Sequence, residues 1–120
     1  MKAILFAATA RPEQSRAFYS QLPGCQFMSD SPYALVFEIA GTELRIQKVD
    51  AVAPAPYTTL GFQVDDIARQ IELLTDKGIE LARFDFLEQD QSGIWRSPDG
   101  AQVAWFRDPD GNTLSLTQYP

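Results

Sequence analysis

The sequence contains no histidine, and that absence excludes more than any other feature of its composition. Histidine is the commonest metal ligand and the usual acid–base group near neutral pH, so chemistry assigned to this chain must run without it. A single cysteine, Cys25, rules out an internal disulfide framework and fits a reducing cytoplasm. No run approaches the ~20 apolar residues that a membrane helix needs, which excludes a membrane partner of that kind. Basic residues number ten against sixteen acidic and stand singly, giving a net charge of −6. Binding a polyanion requires Lys and Arg to neutralise its phosphates, so nucleic acid is excluded as the partner. Residues 1–10 have the one Lys and the small residues of a weak signal peptide. Their apolar run is short, however, and Arg11-Pro12-Glu13 leads straight into a helix-like segment, so they read as a first strand.

What remains is an ordinary globular balance, 45% hydrophobic and 22% charged over 120 residues, enough chain for a core without a disulfide or metal staple. The chain divides into two similar halves. In the first, residues 3–9 predict a strand, and Pro12 suits the first helical position, where its missing N–H costs nothing. Phe18 and Leu22 fall at i and i+4, with Ala17 and Tyr19 widening that face, and Pro23-Gly24 ends the helix. Residues 26–29, 33–39 and 43–49 follow as strands, with turns at Asp30-Ser31-Pro32 and Ala40-Gly41.

The second half repeats this order. Residues 58–64 alternate around Leu60, Phe62 and Val64 as a strand. Asp65-Asp66 supply an N-cap, Ile67, Ile71 and Leu74 form one helical face, and Gly78 stops the helix. Residues 79–86, 94–96, 102–107 and 113–119 are expected strands, with hairpin turns at Ser97-Pro98-Asp99-Gly100 and Asp108-Pro109-Asp110-Gly111. The spacing from Leu5 to Gly24 is 19 positions and from Leu60 to Gly78 is 18. Each half is thus β-α-β-β-β: a first module at 1–50, a stiff linker at 51–56 and a second module at 57–120. Residues 57–120 hold eleven of the sixteen acidic side chains. A solvated face accounts for this excess; attraction of a cationic ligand is the less favoured reading.

A doubled βαβββ unit ending Phe106-Arg107-Asp108-Pro109-Asp110-Gly111-Asn112, with Phe18-Tyr19 followed by Gly24 in the first half, resembles the vicinal oxygen chelate superfamily. That superfamily contains glyoxalase I, bleomycin-resistance proteins, fosfomycin-resistance enzymes and extradiol dioxygenases. The resemblance covers essentially the whole chain. It implies an α+β glyoxalase-like fold, with two modules forming a cupped mixed sheet, helices outside and the ligand inside. It also implies a homodimer.

In the enzymes of this superfamily four side chains, one from the first and one from the last strand of each module, hold a divalent metal. Carried across, these positions fall near Ile4, near Thr59, at Ser115, and at Glu43 or, if the halves are aligned on Gly41 and Gly111, at Arg45. One carboxylate beside a methyl group and two hydroxyls does not hold a transition metal, so no metal cofactor is expected. Asp65, Asp66 and Gln63 would support Mg²⁺ or Ca²⁺ only with several waters. Glyoxalase I chemistry, which needs a metal to polarise substrate oxygens, is excluded with it.

Strand alternation sorts the remaining candidates. Leu44, Ile46, Leu60, Phe62, Leu114 and Leu116 should pack under the helices. Glu43, Arg45 and Gln47 from one module, and Gly61, Gln63, Ser115 and Thr117 from the other, should share the opposite face. An Arg between a Glu and a Gln is either an internal ion pair filling a disused site or a ligand contact. Trp95 and Trp105 are candidate pocket walls, with core packing as the alternative. Tyr33, Phe37 and Phe6 are weaker candidates. Cys25 has no His or basic cluster beside it and reads as an inert buried thiol rather than a nucleophile. Asp108-Pro109-Asp110-Gly111-Asn112 is similar to a calcium loop but lacks its bidentate Glu, and a hairpin turn explains it.

The ligand-binding set is therefore Glu43, Arg45, Gln47, Gln63, Trp95, Trp105, Ser115 and Thr117. The function expected is metal-free binding of a small, antibiotic-like or aromatic molecule. The alternative is an enzyme of the same fold acting on a small oxygenated substrate, with Glu43 as base and Arg45 steadying negative charge.

Overall fold

The computed structural model describes residues 1–120. They group into two compact units, Met1–Ala55 with Asp108–Asn112, and Pro56–Arg107 with Thr113–Pro120. Each unit is a four-stranded mixed sheet with one helix, an α+β arrangement. No helix is long and apolar enough to cross a membrane.

The first unit runs β1 (Ile4–Thr9), α1 (Pro12–Ser20), β2 (Cys25–Asp30), β3 (Ala34–Ile39) and β4 (Thr42–Lys48), with sheet order β1-β4-β3-β2. β1 lies parallel to β4 and the other pairs are antiparallel. Pro12 does open α1, but the buried face is Ser15, Tyr19 and Leu22, with Phe18 half-buried and Ala17 exposed. Ala17 is thus corrected as a core position: the stripe passes through Ser15 because its hydroxyl finds partners in the interior. The β3–β4 turn places Ala40 at φ 49° and Gly41 at φ 83°. Two left-handed residues in succession match the right-handed twist of a hairpin's strands. Leu35, Phe37, Leu44 and Ile46 are fully buried. Phe37 belongs to this core, its ring tilted against Tyr19 at 5.9 Å and edge-on to Phe27 at 5.6 Å between centroids, and it also borders a depression of the first unit.

The second unit runs β5 (Thr58–Gln63), α2 (Ile67–Asp76), β6 (Trp95–Arg96), β7 (Gln102–Arg107) and β8 (Thr113–Gln118), in the order β5-β8-β7-β6. Asp66 caps α2 by accepting from the Arg69 N–H at 3.1 Å. Ile67, Ile71 and Leu74 form the buried face, against β7 and β8. Both expected hairpin turns form, closed by Gly100 N–H to Ser97 C=O at 3.0 Å and Gly111 N–H to Asp108 C=O at 3.0 Å.

The strand expected at 79–86 is not there. Only Leu81 bridges to Phe106 before the chain leaves the sheet, to return at β6. The Gln89 side chain explains the departure. Its Oε1 accepts from the Phe84 N–H at 2.8 Å, and its Nε2 donates to the carbonyls of Ala82 and Gly93 at 3.0 and 2.9 Å. Backbone groups that a neighbouring strand would otherwise satisfy are bonded within the excursion instead.

Candidate functional site

Residues paired across neighbouring strands point to the same side of a sheet. In the first unit Ile4, Glu43, Glu38 and Gln26 form one row across β1, β4, β3 and β2. Phe6, Arg45 and Val36 form the next, and Ala8, Gln47 and Ala34 a third. Leu44 and Ile46 alternate to the core side, so Glu43, Arg45 and Gln47 do share the opposite, open face. Arg45 Nη1 stands 3.6 Å from Glu43 Oε2, with both side chains more than a third exposed. The pair is a wet ion pair on an open sheet, not one buried in an interior. Phe6 lies on this face and is exposed; Tyr33 is exposed beside the turn into β3.

In the second unit Gly61, Ser115 and Trp105 make one row, and Gln63, Thr117, Val103 and Trp95 the next. The Trp105 indole N–H donates to Thr58 Oγ1 at 3.0 Å. Because β8 lies between β7 and β5, the indole spans β8 to make this bond. Ser115 is only 6% exposed. A Cβ on Gly61 would stand 2.9 Å from Ser115 Oγ, so the absence of a side chain there leaves Ser115 its room. Trp95 lies 6.2 Å from Trp105 between ring centroids, Phe84 meets Trp105 edge-on at 5.5 Å, and Phe86 lies 5.6 Å from Phe84. The Arg107 guanidinium sits 5.7 Å from the Phe84 ring. Each of these distances falls in the range where aromatic or cation–π contact is favourable.

Within each unit, then, the expected residues are brought to one face. Phe84, Phe86 and Thr58 were not expected. The polar, turn-rich stretch from Glu88 to Gly93 is the signal that could have found the first two, because it argues for a loop rather than a strand carrying them.

The Asp108–Asn112 turn belongs to the first unit and is a structural clamp. Asp108 Oδ2 accepts from the buried Tyr19 hydroxyl at 2.6 Å and from Asn112 Nδ2 at 2.8 Å. Its Oδ1 accepts from the N–H groups of Asp110 and Asn112 at 3.0 and 2.9 Å. Asn112 Nδ2 also donates to the Ala8 carbonyl at 3.0 Å. Asp110 accepts from the Ala10 N–H at 2.8 Å and from the hydroxyls of Thr9 and Ser15. The two pieces of sequence that carry the family resemblance, Phe18-Tyr19 and the Asp-Pro-Asp-Gly-Asn turn, therefore meet through Tyr19 and Asp108. Burial, then the Asp108 charge, pushes the Tyr19 phenol well above its ordinary range. Burial also pushes the Cys25 thiol up to about 11, which leaves it protonated and inert at neutral pH.

The register corrects one carried-over metal position. Gly61, not Thr59, stands beside Ser115; Thr59 lies at a register shift and gives its hydroxyl to the Thr113 carbonyl at 3.3 Å. Ile4 stands beside Glu43 and Phe6 beside Arg45. The donors at these positions reduce to a carboxylate paired with a guanidinium and a serine hydroxyl. Asp66 is occupied as a helix cap. No three His, Cys, Asp or Glu side chains form a group that could hold a metal ion. These residues do not fit the metal that the resemblance implies for the enzymes.

A scan of protein-family models and a search of curated proteins find no match to this chain. Solved structures do match. The fosfomycin resistance protein FosX from Listeria monocytogenes aligns over 100% of this chain and 93% of its own, at TM-score 0.78 and 16% identity. The bleomycin resistance determinant encoded on the transposon Tn5 aligns over 99% and 98%, at TM-score 0.77 and 18% identity. A glyoxalase/bleomycin resistance protein/dioxygenase from Alicyclobacillus acidocaldarius aligns over 99% and 91%, at TM-score 0.73 and 18% identity. With two four-stranded mixed sheets in repeated order and likeness over the whole length of these proteins, the chain has the fold of the glyoxalase/bleomycin resistance and FosX structures.

Proposed function

We propose that this chain is a binding protein of the glyoxalase/bleomycin-resistance kind that takes a small antibiotic-like or aromatic molecule without a divalent metal. The observation that carries this reading is the pinned Trp105. An indole fixed by a hydrogen bond to Thr58, with Trp95 and Phe84 at ring-contact distance, is a pre-organised aromatic wall. Gln63, Ser115 and Thr117 on the same sheet face supply polar groups that would orient a ligand against it. FosX from Listeria monocytogenes is known complexed with Mn(II) and sulfate ion, whereas Ile4, Phe6 and Gly61 offer no donor side chain here. A cytoplasmic homodimer completes the proposal.

Tryptophan fluorescence tests it, because Trp95 and Trp105 are the two tryptophans of the chain. Titration with bleomycin, fosfomycin and simple aromatic compounds should give saturable quenching by at least one aromatic member, unchanged by EDTA and weakened about tenfold or more in Trp105→Ala. Quenching that requires Mn²⁺, or none across the panel, overturns the reading. Native mass spectrometry of the same sample gives the oligomer mass. The enzyme alternative rests on the Glu43–Arg45 pair. Turnover of a bound compound that Glu43→Gln abolishes, with binding retained, would favour it.

A further inference from the structure

The open face of the first unit contains a depression of about 610 Å³ that the aromatic wall does not use. Ile4, Met28 and Val36 line it together with Glu38 and Glu43, and Lys2 stands among them. This volume is in the range of sites for drug-sized molecules. Three observations point to what it would take.

The first is the apolar lining. Ile4 and Met28 are 47% and 50% exposed, on a sheet face where polar side chains would be expected to meet water. The second is the irregularity in β2. Between Phe27 and Ser29 the pairing with β3 shifts by one residue, and Met28 is the extra residue. Bulges of this kind re-aim a side chain, and a thioether adapts its shape to varied partners. The third is the charge. Glu38 and Glu43 are directly opposite each other on β3 and β4, an arrangement that opposes pairing of the strands. Arg45 engages Glu43, but Glu38 makes no ion pair and no side-chain hydrogen bond. The sheet thus retains a carboxylate without an ion pair beside the apolar side chains of Ile4, Met28 and Val36, in a depression that the Lys2 side chain also borders.

We propose that this depression binds an organic ammonium ion with an apolar body, its head at Glu38 opposite Glu43 and its body against Ile4, Met28 and Val36. The inference goes beyond the binding-protein reading above: it adds a separate site on the first unit with its own ligand chemistry. A cationic head removes the like-charge repulsion across β3 and β4, and the body covers apolar side chains now in water. An anion of the same length would meet Glu38 unfavourably, and a neutral one would gain only the apolar part.

The test uses n-octylammonium chloride, sodium octanoate and n-octanol on the full chain with ¹³C-labelled Met and Ile methyl groups, read by NMR. Saturable shifts of the Met28 and Ile4 methyls are expected with octylammonium and not with octanoate, weakening as salt is raised. Glu38→Gln should weaken octylammonium binding about tenfold, and its thermal midpoint should match or exceed that of the parent because a repulsion has been removed. Equal binding of octanol and octylammonium, unchanged affinity in Glu38→Gln, or no shift with any of the three overturns the inference. Quenching of the tryptophans by the antibiotic panel, with the Met28 methyl unmoved by octylammonium, overturns this inference alone. The reverse pattern retains the ammonium site and removes the antibiotic reading.

Discussion

Tyr19 holds its hydroxyl proton in the interior of the first unit against the carboxylate of Asp108, where burial and that charge together oppose its loss. Tyr19→Phe would remove one of four hydrogen bonds to this carboxylate while leaving the ring volume in place. Hydrogen bonds to charged groups contribute about 1.5–3 kcal/mol, so urea unfolding should show a loss of that size with an unchanged m-value. Cys25 behaves in the same sense. Its thiol, ordinarily near 9.0, is held protonated up to about 11 in the fold. Between these values the unfolded chain has released a proton that the folded chain retains, so the unfolded state binds fewer protons and stability falls as pH rises. The contribution is complete below pH 9 and is lost through about pH 11, at about 1.4 kcal/mol per pH unit at most for one group. Unfolding free energies measured from pH 8 to 11 should decline, and less steeply in Cys25→Ala. Tyr19, also raised, adds to the decline at the upper end.

Elements whose residues face a single packing partner were legible, and those stabilised by distant side chains were not. α2 announces itself by an Asp cap and the Ile67, Ile71, Leu74 stripe, because helical period and cap chemistry are local. β4 is equally plain, since Leu44 and Ile46 alternate with Glu43, Arg45 and Gln47. The segment at 79–86 misled because Ile79, Leu81, Phe84 and Phe86 make it apolar enough for a strand, although their alternation slips at Ala82-Arg83, and the group that draws it from the sheet is the amide of Gln89. The rows of the candidate site were legible strand by strand, yet the bond from Trp105 to Thr58 joins strands 47 positions apart, and the shift at Thr59 leaves no mark in the sequence. Gln89→Ala provides the check on this element. It removes three hydrogen bonds at once, so amide exchange at Phe84 should accelerate strongly. The excursion should become cleavable by protease, with a global loss of about 1–3 kcal/mol.

The chain as a whole passes from the first unit to the second at Pro56, returns to the first for Asp108–Asn112, and finishes in the second. A fragment of residues 1–55 would lack Asp108, Asp110 and Asn112. The Tyr19 hydroxyl, the Ala8 carbonyl and the Ala10 N–H would lose the partners they have here. Such a fragment should show unfolded far-UV circular dichroism and poorly dispersed amide resonances, and should gain structure on mixing with residues 56–120. A stably folded fragment 1–55 would show that the clamp is dispensable.

That path also sets a timetable on the ribosome. The first sheet is translated early, but the turn that completes its hydrogen bonds comes only after residues 56–112 have been added, roughly 3–11 s later at about 5–20 residues per second. The half that is made first is therefore among the last to be finished, and a nascent chain must keep Tyr19 and its neighbours from other partners until Asp108 arrives.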